Sequence, residues 1–286
     1  MSALMRHPVV VQARREFWEH GSLWIAPLIA AGLLFVSFSL APSIHVTGRF
    51  PVDIGNPMLV YGSAIGITAF LGMVTGLVLF SYLLDCLYAE RKDRSILFWK
   101  SLPVSDVQTV LAKAGTGLLV APLLALAIAA VAFPVLLLVL RVRYNALDGV
   151  IGLDAVVGAY GMLPRIALTW MWGLLWYAPF AAYLLLASAL AKRVPLLHAV
   201  LQPVVLVALE GVAMGTTRIA GFIARRLAPW GDDSWSLGVT PLQLISGTAD
   251  PDSTAPLLNT NLWLGVAAAA VMVYIVIRLR RYRDDT

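Results

Sequence analysis

The sequence has little charge and a single cysteine. Asp, Glu, Lys and Arg together make up 13% of its 286 residues, about half of the roughly 25% that is typical of soluble domains. Hydrophobic residues make up 60%, so the chain has too few polar side chains to cover a water-facing surface. Because Cys86 is the only cysteine, an intrachain disulfide is excluded. The composition therefore indicates a membrane protein.

Motifs for the common catalytic and cofactor sites are also missing. The sequence contains no G-x-x-x-x-G-K-[ST] phosphate loop and no G-x-S-x-G nucleophile motif. No H-E-x-x-H pair or cysteine-rich spacing offers a metal site, and the four histidines are scattered along the chain. No basic patch interleaved with aromatic residues suggests nucleic-acid binding. We therefore expect no catalytic residue, cofactor site, metal site or nucleic-acid partner for this chain, which we interpret as a non-enzyme.

Long apolar runs are the dominant feature of what is present. A bilayer core needs about 17–25 helical residues, and helices are favoured because lipid offers no partner for a free backbone amide. We predict an all-α membrane protein, with residues 1–286 forming one transmembrane domain of six helices. The predicted spans are 22–41, 59–84, 115–140, 166–190, 195–213 and 260–277.

Basic residues are distributed unevenly among the connections between these spans. If the N-terminus is inside, the inner segments hold 14 of the 21 Lys and Arg residues and the outer segments hold 7. Inner loops of membrane proteins are enriched in basic residues. We therefore expect a multi-pass protein of a bacterial-type plasma (inner) membrane, with both termini in the cytoplasm.

An amphipathic segment, residues 8–20, precedes the first span. We predict an N-terminal helix that lies in the inner membrane interface; the alternative is a cytoplasmic extension of span one. Its apolar face would carry Val10, Val11, Ala13, Phe17 and Trp18, and its polar face Gln12, Arg15, Glu16 and Glu19.

The long connection between spans five and six, about 214–259, contains another amphipathic segment. Ile219, Phe222 and Leu227 are spaced like one helical face, which predicts short re-entrant helices on the outer side. Just before this connection, Glu210 lies within an apolar run, where an ionisable group is a candidate functional site. It could bind a cationic cargo group or relay a proton. The alternative is a local ion pair with a downstream arginine.

The connection between spans two and three, residues 85–114, is unusually charged: residues 90–113 hold eight charged groups. Ser105-Asp106-Val107-Gln108 fits a capping box that opens a helix, and Pro103 stops the helix before it. Between Arg94 and Lys100 lie four large apolar residues, which predict a docking surface for a partner. The alternative is a surface helix bound by anionic membrane lipid. The four apolar residues are Ile96, Leu97, Phe98 and Trp99.

This loop resembles that of a known family. The pattern Glu90-x4-Ser95-Ile96-x4-Ser101-x-Pro103-Val104-Ser105, followed by Leu111-x-Lys113, is similar to the loop between spans two and three of ABC transporter permeases of the type-2 exporter class. Many members have Gly where this chain has Arg94. In that family the loop carries a coupling helix that docks on a separate ATPase subunit. The resemblance implies docking by Glu90, Arg91, Arg94, Ser95, Ile96, Leu97, Phe98, Trp99, Lys100, Pro103 and Ser105.

The resemblance also implies partners and a mechanism. Two ATPase subunits would bind ATP and Mg, and a second copy of this chain or a related permease would complete the pathway. The chain would then be the transmembrane subunit of an ATP-driven exporter. Two alternatives stay open: an integral membrane enzyme, and a non-transporting membrane anchor for a cytoplasmic partner.

Overall fold

The computed structural model describes residues 8–40, 58–93, 105–143, 153–161, 163–227 and 259–282. These residues form helices joined by short connections, and no strand occurs among them. A π-helical turn, Thr116–Val120, connects two of these helices directly. The helices are α1 (Pro8–Glu19), α2 (Ser22–Leu40), α3 (Met58–Asp85), α4 (Tyr88–Lys92), α5 (Asp106–Gly115), α6 (Ala121–Arg143), α7 (Leu153–Tyr160), α8 (Leu163–Leu190), α9 (Pro195–Met214), α10 (Arg218–Leu227) and α11 (Thr260–Tyr282).

Six segments of the described chain are long and apolar enough to cross a membrane. Each of the six predicted runs overlaps one of them, which confirms the prediction of an all-helical chain with six helices long and apolar enough to cross a membrane. The side of the membrane on which each end lies stays a prediction. The segments are Ser22–Leu40, Gly62–Lys92, Asp106–Val142, Val156–Leu190, Pro195–Met214 and Thr260–Tyr282.

Apolar clusters hold the described helices together, and two of them contain most of the buried apolar residues. At the end where α3 meets α5, Tyr82, Cys86 and Val110 pack with Leu184 of α8 and with residues of α11. A second cluster joins α2, α3 and α6 through small residues such as Ala30, Ala64 and Ala129. Small side chains allow helices to approach closely, which is how helices associate in lipid. The first cluster thus holds the described ends of the charged loop, at Cys86 and Val110, against α8 and α11.

Helix α9 has little contact with the rest of the described chain. Val204, Leu206, Leu209 and Val212 are all exposed, as expected for a helix surrounded by lipid rather than by water. It ends at Gly215, whose φ of +62° is left-handed. Glycine favours this conformation because it has no Cβ, and it is the usual residue at such a helix end. The chain reverses there into α10.

Candidate functional site

Six side chains form a network at the end of the bundle that carries the charged loop, and all but Asp106, whose side chain is 27% exposed, are buried. We call Glu16, Tyr82, Glu90, Asp106, Lys113 and Arg280 the ion-pair network. They come from five helices, α1, α3, α4, α5 and α11, so the network joins both ends of the loop to the first and last described helices.

Lys113 lies at the centre of this network. Its Nζ is 2.7 Å from Glu16 Oε1 and 3.1 Å from Glu90 Oε1, and its side chain is only 2% exposed. Lys113 lies in the last turn of α5, and the first turn of this helix is capped. Ser105 accepts from the Gln108 backbone N–H at 3.2 Å, and Gln108 Oε1 accepts from the Ser105 N–H at 3.2 Å. The predicted capping box is therefore confirmed.

Arg280, near the end of α11, connects the two sides of the loop. Its Nη1 is 2.6 Å from Glu90 Oε2, and its Nε is 3.0 Å from Asp106 Oδ1. Asp106 lies in the first turn of α5, where a carboxylate is also stabilised by the helix dipole. One guanidinium thus holds the helix before the loop and the helix after it.

Glu16 brings α1 into the network. Its carboxylate accepts a hydrogen bond from the Tyr82 hydroxyl at 3.2 Å, and His20 Nδ1 is 3.5 Å from the same oxygen. The side of α1 that bears Glu16 packs on α5, while Val11 and Trp18 are exposed on the other side. An exposed apolar face suits a membrane interface, and the position of α1 in that interface stays a prediction.

The network is well suited to holding helices in a fixed relation. Breaking a buried pair by removing one partner costs about 3–5 kcal/mol because a buried charge is left uncompensated. All five charged members have an oppositely charged partner within 3.1 Å. A displacement of one member therefore moves the others with it or breaks a costly contact.

Arg91 was predicted to dock on a partner, and the structure gives it contacts within the chain. Its Nη2 donates to the backbone carbonyls of Ser188 and, at 3.0 Å, Ala191 at the end of α8. A cation is favourable at a helix C-terminus. The Ser188 Oγ in turn accepts from the backbone N–H groups of Leu87 and Tyr88, at 3.2 and 3.1 Å. The start of the loop is thus also fixed to α8.

The described part of the chain brings together only some of the predicted docking residues. Glu90 belongs to the ion-pair network, Arg91 contacts α8, and Ser105 caps α5. The others lie outside the described residues: Arg94, Ser95, Ile96, Leu97, Phe98, Trp99, Lys100 and Pro103.

Sequence reasoning missed Glu16, Tyr82 and Arg280 as members of one site. Glu16 was assigned to the polar face of α1 without a partner, and Arg280 was one of several basic residues near the C-terminus. The only sequence signal was Lys113, a charge at the start of an apolar run, where a buried partner is to be expected.

Glu210 has a local structural role in the described chain. Its Oε1 accepts from the Thr216 hydroxyl at 2.6 Å and from the Arg218 N–H at 2.7 Å, and its Oε2 accepts from the Ile219 N–H at 2.7 Å. The carboxylate thus caps the first turn of α10. The sequence alternative was an ion pair with an arginine; the partners found are two backbone amides and one hydroxyl.

The far end of α10 is tied to α8 and α11 by Arg226. Its guanidinium carbon lies 4.3 Å from the centre of the Trp176 ring, and its Nη1 donates to the Asn261 carbonyl at 3.0 Å. Burial lowers the pKa of Arg226 below its ordinary value. Helix α10 is therefore held at its start by α9 and at its end by α8 and α11, and its insertion into the outer leaflet stays a prediction.

Comparison with known proteins gives no family assignment for this chain. No family model matches it, and no curated protein is significantly similar to it.

Proposed function

We propose that this chain is the membrane-spanning subunit of an ATP-driven ABC exporter. In this proposal a separate ATPase subunit binds the loop between the second and third spans. The observation that carries the proposal is the connection of both ends of that loop to one buried network. Glu90 precedes the undescribed loop residues and Asp106 follows them, and both bind Arg280.

This arrangement suits the transmission of force from a partner. A protein that grips residues 94–104 holds a segment whose two ends are fixed to α11 through Arg280 and to α1 through Lys113 and Glu16. Arg91 extends the connection to α8. Because single contacts in the network are costly to break, movement of the loop is passed to these helices rather than absorbed beside it.

ATP would be bound and hydrolysed by the partner subunit. The sequence has no phosphate loop, so ATP and Mg would be bound by two ATPase subunits. A second copy of this chain, or a related permease, would complete the pathway in a bacterial-type inner membrane. ATP binding would then favour an outward-open arrangement over an inward-open one, by selection between states that already exist.

The cargo of this exporter would be hydrophobic or amphipathic. An open groove of about 450 Å³ lies between α2, α3 and α6, and all its lining residues are apolar. Leu28 and Phe35 form one wall, and Ile128 and Val131 form the other. Such a surface accepts a hydrocarbon chain and offers nothing to bind an ion or a sugar.

Transport by reconstituted protein tests the proposal against its two alternatives. The chain would be purified with its ATPase, placed in vesicles, and supplied with ATP and a fluorescent amphiphile. An exporter moves the amphiphile only with hydrolysable ATP. A non-transporting anchor would bind the ATPase without any movement of the amphiphile. A membrane enzyme would bind no ATPase. Either result would refute the proposal.

A further inference from the structure

Near its end, α11 carries an arginine held between two tyrosines on the exposed side of the helix. Arg278 Nε donates to the Tyr274 hydroxyl at 2.7 Å, and Arg278 Nη1 donates to the Tyr282 hydroxyl at 2.9 Å. The guanidinium carbon lies 5.3 Å from the Tyr274 ring and 5.7 Å from the Tyr282 ring. The arginine is thus oriented before any ligand arrives.

This arginine differs from its neighbour in having no acidic partner among the described residues. Arg280, two residues later, points into the bundle and pairs with Glu90 and Asp106. No carboxylate of the described residues lies within ion-pair distance of Arg278. Its charge faces outward without a counter-charge from this part of the chain.

The three side chains together present several hydrogen-bond donors. Each tyrosine hydroxyl already accepts from Arg278, so its own proton is directed elsewhere. A guanidinium has five N–H donors, and two of them are used here. The remaining N–H and O–H groups suit an anion with several acceptor oxygens, such as a phosphate.

The position of Tyr274, Arg278 and Tyr282 on α11 indicates which kind of phosphate they would bind. The apolar part of α11 ends at Arg278, and tyrosine and arginine at such a boundary lie at headgroup level. Val271, Tyr274 and Ile275 continue the same exposed side toward the membrane centre. A ligand that places a phosphate at Arg278 and hydrocarbon chains along Val271 and Ile275 is a phospholipid.

We propose that Tyr274, Arg278 and Tyr282 form a binding site for the headgroup phosphate of an anionic phospholipid. The inference does not depend on exporter function, because it rests only on α11. Anionic lipid is favoured over zwitterionic lipid because the three side chains of the site carry one positive charge and no carboxylate.

Native mass spectrometry of the full purified chain tests this proposal. The chain would be mixed with equal amounts of phosphatidylglycerol and phosphatidylcholine, and the retained lipid would be counted. We expect preferential binding of phosphatidylglycerol, weakened about fivefold by Arg278→Gln. The double variant Tyr274→Phe with Tyr282→Phe keeps both rings and should cause a smaller loss. The control Arg165→Gln, an exposed arginine on α8, should bind as the wild type does.

Three results would overturn the proposal. One is equal retention of the two lipids by the wild-type chain. Another is unchanged binding of phosphatidylglycerol in both the Arg278 variant and the tyrosine double variant. The third is displacement of the lipid by inorganic phosphate at the same concentration, which would assign the site to a free anion.

Discussion

Replacing Lys113 with methionine perturbs the ion-pair network at its centre. Methionine has nearly the same length and no charge, so the change removes the cation without opening a large cavity. Glu90 keeps Arg280 as a partner at 2.6 Å. Glu16 keeps only the Tyr82 hydroxyl and His20, and its side chain is 4% exposed. The cost therefore falls on Glu16.

The size of this effect follows from the burial of the pair. Leaving a buried charge uncompensated costs about 3–5 kcal/mol. For proteins of 150–250 residues, each kcal/mol lowers the melting midpoint by about 2–4 °C, so we expect Lys113→Met to lower it by roughly 6–20 °C. The double variant Glu16→Gln with Lys113→Met removes both charges of the pair and should recover part of that loss.

Cys86 provides an assay that needs no added label site. It is the only cysteine, it is 1% exposed, and it packs in the same cluster as Tyr82. Detergent-solubilised protein would be heated at a fixed rate with a maleimide dye. The dye should react with Cys86 only when heating opens that cluster. The matched control is Lys192→Met, because Lys192 is exposed between α8 and α9. Equal midpoints for Lys113→Met and Lys192→Met would refute the stabilising role of the network.

Three further predictions concern topology, Glu210 and the cap of α5. New cysteines at Ser43 and Ser253 should react with an impermeant thiol reagent on intact cells while one at Thr286 should not; the reverse pattern would invert the orientation. Glu210→Gln should lower stability modestly through a lost charge-assisted hydrogen bond while transport persists, and loss of transport in stable protein would assign Glu210 to cargo or protons. Ser105→Ala should cost about 1 kcal/mol in the thermal assay, and an unchanged midpoint would show that the cap contributes little.

The sequence was sufficient for the features that depend on nearby residues. Apolar runs gave the six candidate spans, and the Ser105–Gln108 capping box follows from spacing within one turn. The sequence identified Glu210 as unusual, but it could not identify the partners of Glu210. Two of them are backbone amides, which nearly every residue has. Local pattern thus predicts elements better than it predicts contacts.

The ion-pair network could not be predicted because its contacts connect distant parts of the chain. Glu16 meets Lys113 across 97 residues, and Glu90 meets Arg280 across 190. Helical periodicity shows which side of a helix a residue occupies, and only packing decides which sides meet. Arg278 and Arg280 illustrate this limit: they are two residues apart in one basic run, yet one faces two tyrosines and the other two carboxylates.

ATPase coupling through the loop tests the central proposal most directly. Phe98 and Trp99 are large apolar residues whose burial in a partner would contribute roughly 1.5–3 kcal/mol each. The measurement is ATPase retention and ATP-dependent transport by the purified double variant Phe98→Ala with Trp99→Ala, beside a variant in which Lys92 and Arg94 are neutralised. We predict that the aromatic double variant still folds and loses ATPase retention or its coupling to transport. Full retention with normal coupled transport in that variant would contradict the proposal.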